Sequence, residues 1–299
     1  MAFIKKKIKF NVKDNLVKKF VLKYLAHKSK KINKYRKNPM VVFANDWIGA
    51  NIFVDGVYEK KFIDDIFEIF KKIKINPKKG YVLDIGANIG NHTLQFSQKF
   101  KGVIAFEPHQ RIFEILKFNT SNIKNIKCVN TAVGNKIGKI KFRDYKENYG
   151  ASHIKENDTK KNYFKVNISK LSNLVKKSNL ISYIKIDTEG MEYEALKGGK
   201  ELIKKFKPII SIEQKKNEFK ANCIETSSLD FLRHNGYRIY TIKESLGTKN
   251  YFLKKLKIIY GLFAKIKISR NIIELKNVKK NNYNFLIAIH KNYLNKNLI

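Results

Sequence analysis

Acidic side chains stand at the ends of short apolar runs: Asp84 in Tyr81–Ile85, Glu107 after Val103–Phe106, Asp187 in Tyr183–Asp187 and Glu213 in Pro208–Glu213. Glycines follow the first of them. Val82-Leu83-Asp84-Ile85-Gly86-Ala87-Asn88-Ile89-Gly90-Asn91 reads as a strand, a glycine-bearing turn and the start of a helix. Gly86 lets the backbone approach a ligand, and Gly90 opens the helix with no Cβ in the way. The spacing departs from the dinucleotide fingerprint G-x-G-x-x-G, and a carboxylate at Asp84 would repel a pyrophosphate bound at this turn. It would attract a cation. S-Adenosylmethionine carries an ammonium and a sulfonium and no phosphate. The turn, with Asp84, Gly86, Ala87, Asn88, Gly90, Asn91 and His92, is therefore expected to hold that cofactor.

Phe106-Glu107-Pro108 ends the next apolar run, with Glu107 lying 23 residues after Asp84. An acid at about this interval, roughly 20 residues, accepts hydrogen bonds from ribose hydroxyls in doubly wound folds. Glu107 and Pro108 are assigned to the cofactor on that basis. Asn130, Ala132 and Val133 follow the third run, where an adenine edge would be read.

The segment Ile184-Lys185-Ile186-Asp187-Thr188-Glu189-Gly190-Met191-Glu192 puts two carboxylates at the carboxyl end of a core strand, on the side where open α/β sheets bind ligands. Methyl transfer to a hydroxyl is an in-line displacement that needs alignment and a base for the hydroxyl proton. Asp187 and Glu189 are candidates for that base. The competing role for Glu189 is to charge the first turn of the following helix. Glu213, in Ser211-Ile212-Glu213-Gln214, joins them as a third candidate catalytic residue. With Asp187 it could bind a divalent metal through oxygen ligands. Hydrogen bonding to a polyol acceptor is the simpler reading, so a metal is not expected, and no His/Cys cluster has zinc spacing.

These residues need a frame. Phe62, Ile66, Ile69, Phe70 and Ile73 line one helical face; Tyr81–Ile85, Val103–Phe106 and Ile126–Val129 read as strands, with helices Asn91–Lys99 and His109–Asn119 between them. Strand and helix alternating in this way predicts an α/β fold with a parallel sheet and crossover helices. Lys139–Phe142 and Phe164–Ile168 read as strands around a polar loop, Glu147–Asn162. A helix over Leu171–Lys177, a fourth core strand over Tyr183–Asp187, one helix through Phe206, a fifth strand over Pro208–Glu213 and a helix over Ser228–Asn235 capped by Gly236 follow. Tyr237–Thr241 and Phe285–Ile289 form a last strand pair. Between them lies a basic helical insert of about residues 246–282, centred on Tyr251–Ile268. Residues 1–40 are a basic extension with a predicted amphipathic helix over Leu16–His27, and Met40–Val54 reads as a small β unit ending at the Asp55-Gly56 turn. The rest, 41–299, is one domain.

With 63 Lys and Arg against 25 Asp and Glu, the chain of 299 residues has a formal net charge of +38. That charge suits polyanions, and it also matches the Lys, Asn and Ile usage of an AT-rich genome. Cys128 and Cys223 form no CxxC pair, which suggests a reducing compartment. No apolar stretch reads as a signal peptide or membrane span. The chain thus reads as cytoplasmic, with peripheral contact at an anionic inner membrane face as an accessory option. A small-molecule or glycan acceptor is expected. RNA methylation over the basic surface is the alternative function, though nucleic acid is disfavoured by two carboxylates where base-amine methyltransferases resemble one another in an Asn/Asp-Pro-Pro-aromatic run.

The segments resemble the FkbM family of methyltransferases. The matching stretches are Asp84-Ile85-Gly86-Ala87-Asn88-Ile89-Gly90-Asn91-His92-Thr93, Ala105-Phe106-Glu107-Pro108, Ala132-Val133-Gly134 and Ile184-Lys185-Ile186-Asp187-Thr188-Glu189-Gly190, with Asp46-Trp47-Ile48-Gly49 and Gly56-Val57-Tyr58-Glu59 upstream. The resemblance runs from Asp46 to Glu213 and resumes at Asn284–Ile289. It implies a class I, Rossmann-like fold: a mostly parallel seven-stranded sheet with helices on both faces and one antiparallel strand, here Phe285–Ile289. It also implies O-methylation of hydroxyls on sugars of surface polysaccharides or on secondary metabolites. It makes Asp84, Gly86, Asn88 and Glu107 cofactor contacts and Asp187 and Glu189 active-site residues. The family's frequent Leu-Asp pair before the fourth strand is missing, because Ser169-Lys170-Leu171-Ser172 stands there.

Overall fold

Each predicted apolar run of the sheet forms a strand in the computed structural model, which describes residues 12–33, 39–43, 46–143, 163–176, 178–219, 225–245 and 269–294. The chain divides into two units, residues 1–60 and 61–299.

In the larger unit, β1 (Tyr81–Ile85), β2 (Gly102–Phe106) and β3 (Ile126–Val129) are joined by α4 (Asn91–Ser97) and α5 (Gln110–Thr120). A short β4 (Ala132–Val133) pairs with β6 (Tyr163–Ser169), which also pairs with β5 (Gly138–Arg143), making a separate three-stranded sheet. The strands β7 (Ile181–Ile186), β8 (Ile209–Gln214), β9 (Tyr237–Ser245), β10 (Ser269–Glu274) and β11 (Tyr283–His290) complete the main sheet. Its order is β10-β9-β11-β8-β7-β1-β2-β3. Strands β8, β7, β1, β2 and β3 run parallel. β11 enters antiparallel between β8 and β9.

Alternation along the strands divides the core. Leu83, Ile85, Ile184, Ile186, Ile210 and Ile212 face one cluster, shared with α7 (Glu192–Gly198), α8 (Lys200–Phe206) and α9 (Ser227–His234). Tyr183 faces the other way, edge-on to Phe70 of α3 (Lys60–Lys72) and Phe96 of α4. The side chains that alternate with the first cluster, Asp84 and Lys185 among them, are buried on the α4 side of the sheet.

Several expectations need correction. Among the described residues the sheet has eight strands rather than seven, and two of them, β10 and β11, are reversed. β10 falls inside the stretch expected to be a helical insert. Its exposure alternates residue by residue, and Ile272 and Ile273 pair with Ile242 and Thr241 of β9. The centre of that insert, residues 251–268, and the polar loop at 147–162 lie outside the described residues. The single helix expected to run through Phe206 is two, broken at Gly198 and Gly199, where a Cβ on Gly198 would lie 2.0 Å from the Gly134 carbonyl oxygen.

In the smaller unit, α1 spans Val12–Asn33, longer than the predicted Leu16–His27. The expected β unit over 40–54 is instead α2 (Trp47–Asp55). The Asp46 carboxylate accepts from the Ile48 N–H, and Gly56, at φ 86°, ends the helix by donating its N–H to the Ile52 carbonyl. Among the described residues no helix is long and apolar enough to cross a membrane.

Candidate active site

The turn after β1 is built around close backbone approach. The Gly86 and Ala87 N–H groups both donate to the Phe106 carbonyl of β2. Gly86 has φ 79°, and a Cβ there would lie 1.8 Å from the Asp187 carbonyl oxygen, so the ends of β1 and β7 meet at this glycine. Gly86→Ala is expected to cost at least about 1–3 kcal/mol in backbone strain alone. A urea midpoint unchanged from wild type would show that the two turns can separate freely. Asn88 is also left-handed, at φ 50°, and its side-chain oxygen accepts from the Ile89 N–H at 2.7 Å. Asn119 of α5 donates to the Ile89 carbonyl at 2.8 Å and ties the turn down from 30 residues away. Gly90, at φ 95°, faces Leu116, and Asn91 is buried. His92 is also buried and lies against the rings of Phe62, Phe96 and Phe285.

Asp84 has no exposed surface. Its carboxylate accepts from the Thr93 hydroxyl at 2.6 Å and lies 3.5 Å from the ammonium of Lys185, its register partner on β7. Lys185, 2% exposed, reaches Asp84, Asp187 at 3.3 Å and the Gly86 carbonyl at 3.1 Å. The cofactor turn and the candidate base are thus joined through one buried cation. A pairing role for Lys185 was not expected from the sequence, although a lysine inside the apolar strand Ile181–Ile186 is itself the signal.

Glu107 lies buried at the end of β2. Its two oxygens accept from the backbone N–H groups of Asn88, at 3.0 Å, and His109, at 2.9 Å. Burial outweighs those hydrogen bonds and pushes its carboxyl up to about 7. Asn130 donates to the Glu107 and Pro108 carbonyls at 2.9 and 3.2 Å, fastening the third strand end to the second. Ala132 and Val133 are buried; Ala132 packs in the small sheet with Ile140, Phe142, Val166 and Ile168.

A group whose folded value is raised above its unfolded one stabilises the fold most below the unfolded value, here 4.5, and that contribution is lost as pH rises through the folded value. The melting temperature of the ligand-free protein should therefore fall between about pH 5 and 7, with Glu192, also raised by burial to about 7, contributing to the slope. Glu107→Gln should flatten the slope. An equally steep fall in that variant would assign the titration elsewhere.

After β7 the chain turns sharply. Glu189, at φ 56°, and Gly190, at φ 111°, are both left-handed. Glu192 organises the turn by accepting from the Thr188 N–H, the Thr188 hydroxyl and the Gly190 N–H. Glu192 therefore does the work at the helix start that the sequence offered as the alternative for Glu189. Glu189 pairs with Lys215, which follows β8, and Lys215 also lies 3.7 Å from Glu213. Asp187, Glu189 and Glu213 offer oxygens all within 4.8 Å of one another. Burial, then the Asp187 carboxylate, push Glu213 up to about 8. At neutral pH Glu213 is thus biased towards its protonated, proton-donating form. An open cleft of about 490 Å³ continues from Lys215 along Lys216, Asn217, Lys280 and Asn282, with the Lys216 N–H bound to the Asn282 side chain at 2.7 Å.

The donor set suits S-adenosylmethionine. Carboxylates end β1, β2 and β7, and the tight turn leaves backbone rather than side chains beside them, which favours a cationic, hydroxyl-bearing ligand over a diphosphate. The Methyltransferase FkbM domain matches residues 84–239, just over half of the chain. Among solved structures, the chain is similar to a methyltransferase FkbM from Methylobacillus flagellatus KT at 19% identity, covering 46% of this chain and 33% of that one, with a TM-score of 0.34. The chain thus spans about a third of that protein's length. It is also similar to a precorrin-6y C5,15-methyltransferase from Geobacter metallireducens GS-15 (10% identity, 78% and 93% covered, TM-score 0.39). An rRNA methylase from Streptococcus thermophilus matches at 12% identity, with 76% and 95% covered and a TM-score of 0.37. No curated protein matches the sequence.

Proposed function

The chain belongs to the FkbM family of S-adenosylmethionine-dependent methyltransferases, and from that premise we propose that it methylates a hydroxyl, on a sugar of a surface glycan or on a secondary metabolite. The observation that carries this reading is the convergence of Asp187, Glu189 and Glu213 beside the β1 turn. Hydroxyl-rich acceptors hydrogen-bond well to such a cluster, whereas the phosphates of RNA would meet like charge.

S-Adenosylmethionine supplies the methyl group as an electrophile. Glu107 and the backbone around Gly86 and Asn88 bind and orient it, and the buried Asp84 holds that turn in place through Thr93 and Lys185. Asp187, steadied by Lys185, accepts the hydroxyl proton, and Glu189 and Glu213 position the acceptor. The Lys215 ammonium already neutralises part of the acidic cluster, so no divalent metal is needed. A chelator should leave turnover unchanged; loss with EDTA and recovery with Mg²⁺ would reassign the three acids as metal ligands.

Calorimetric titration tests the cofactor half. S-Adenosylhomocysteine should bind in the micromolar range and NAD should not bind. Folded protein that ignores S-adenosylhomocysteine would end this reading. Acceptor screens with sugars and RNA then separate the substrate classes, and tight, salt-dependent methylation of RNA would replace the glycan proposal.

A further inference from the structure

Five apolar side chains of α1 stand in the open: Leu16 (63% exposed), Val17 (55%), Phe20 (73%), Val21 (45%) and Tyr24 (49%). At 3.6 residues per turn they share an arc of about 140° over Leu16–Tyr24, and one turn further on Lys28 falls within the same arc. Lys19, Lys23 and Lys30 border the arc on one side and Lys18 on the other, and all four are exposed. The Lys28 ammonium lies 5.7 Å from the centre of the Tyr24 ring. Asp14 is the only acid in the first forty residues. Leu22, also exposed, lies outside the arc.

An apolar arc of this extent calls for a cover. A second copy of the helix would bring lysine borders against lysine borders. A surface that is apolar at depth and anionic at its face satisfies both features. Lysines interrupt α1 too often for it to cross a bilayer, so the fitting geometry is a helix lying in the headgroup plane. We propose that α1 binds the protein to an anionic lipid bilayer, with Leu16, Val17, Phe20, Val21 and Tyr24 inserted among the acyl chains and the bordering lysines against the phosphates. The inference rests on α1 alone and stands whether or not the acceptor is a sugar.

The test uses the full chain and sedimentation with vesicles at physiological salt. Phosphatidylcholine vesicles containing phosphatidylglycerol should carry the protein down, and pure phosphatidylcholine vesicles should do so about tenfold less. Val17→Glu with Phe20→Glu should lower binding to the anionic vesicles about tenfold, because the apolar contribution is lost and negative charge is added. S-Adenosylhomocysteine binding in that variant serves as the control for folding. A conservative second variant, Phe20→Trp with Trp47→Phe, leaves one tryptophan in the arc, whose emission should shift to the blue and be quenched by brominated acyl chains. Absence of vesicle binding overturns the proposal. So does undiminished binding of the double-glutamate variant, which would mark general adhesion of a lysine-rich surface. An unquenched tryptophan on bound protein overturns it too, as does a wild-type oligomer that becomes monomeric in the double-glutamate variant, which would make the arc a protein contact.

Discussion

Asp187→Asn is expected to lower kcat by about 10²–10⁴-fold while the affinity for S-adenosylhomocysteine stays close to native. The amide keeps the shape of the side chain but cannot take the proton of the attacking hydroxyl. Its neighbours explain why the loss should fall on this carboxylate. Glu213 is held protonated near neutral pH by burial and by Asp187 itself, and Glu189 is engaged by Lys215. Asp187 is paired to the buried Lys185 that also reaches the cofactor turn. Glu189→Gln should therefore cost less, and mainly in KM. Single-turnover measurement with saturating cofactor separates the two. If Asp187→Asn turns over at the native rate and Glu189→Gln does not, the roles are reversed.

Lys185→Met should destabilise the fold by about 3–5 kcal/mol, because it leaves Asp84 as an uncompensated charge inside the sheet. Urea denaturation reads this as a lower midpoint at unchanged slope. Adding Asp84→Asn to Lys185→Met should recover a large part of the loss, since a neutral amide still accepts from Thr93 and no longer needs a cation. Additive losses in the double variant would mean that the two residues do not act as a pair. The same geometry bears on Asp84→Asn alone. That variant should lose stability before it loses cofactor affinity, because its carboxylate is turned towards Lys185 and Thr93.

Much of the sheet was readable in the sequence because its strands are apolar runs closed by glycine or acid. The five parallel strands and the antiparallel Phe285–Ile289 strand fall where periodicity put them. The stretches that misled carry weaker signals. Residues 47–55 are too uniformly apolar to betray a helix by alternation, and only the Asp46 and Gly56 caps mark it. β10 is an edge strand whose isoleucines gain meaning from pairing with β9, a contact made across residues 246–268. At the site, Asp187, Glu189 and Glu213 were identifiable by their place at strand ends, and the structure brings their oxygens together. The residues that hold them were not. Lys185, Glu192, Lys215 and Asn119 act through partners 26 or more positions away or through local turns, and spacing along the chain carries no trace of such pairs.

The pairing of Asp84 with Lys185 also bears on how the chain finds its fold. β1 and β7 are adjacent in the sheet yet about a hundred residues apart in sequence, and a parallel pairing over that distance forms late and can form out of step. Both strands are dominated by Val, Leu and Ile, which fit one another nearly as well after a shift. A shift of one residue would send Lys185 to the apolar face beside α7 and α8 and leave Asp84 opposite an isoleucine, so the wrong alignment carries two bare charges into hydrocarbon. The buried pair thus acts as a proofreader of alignment: it rejects the near-correct sheets that oil alone would accept.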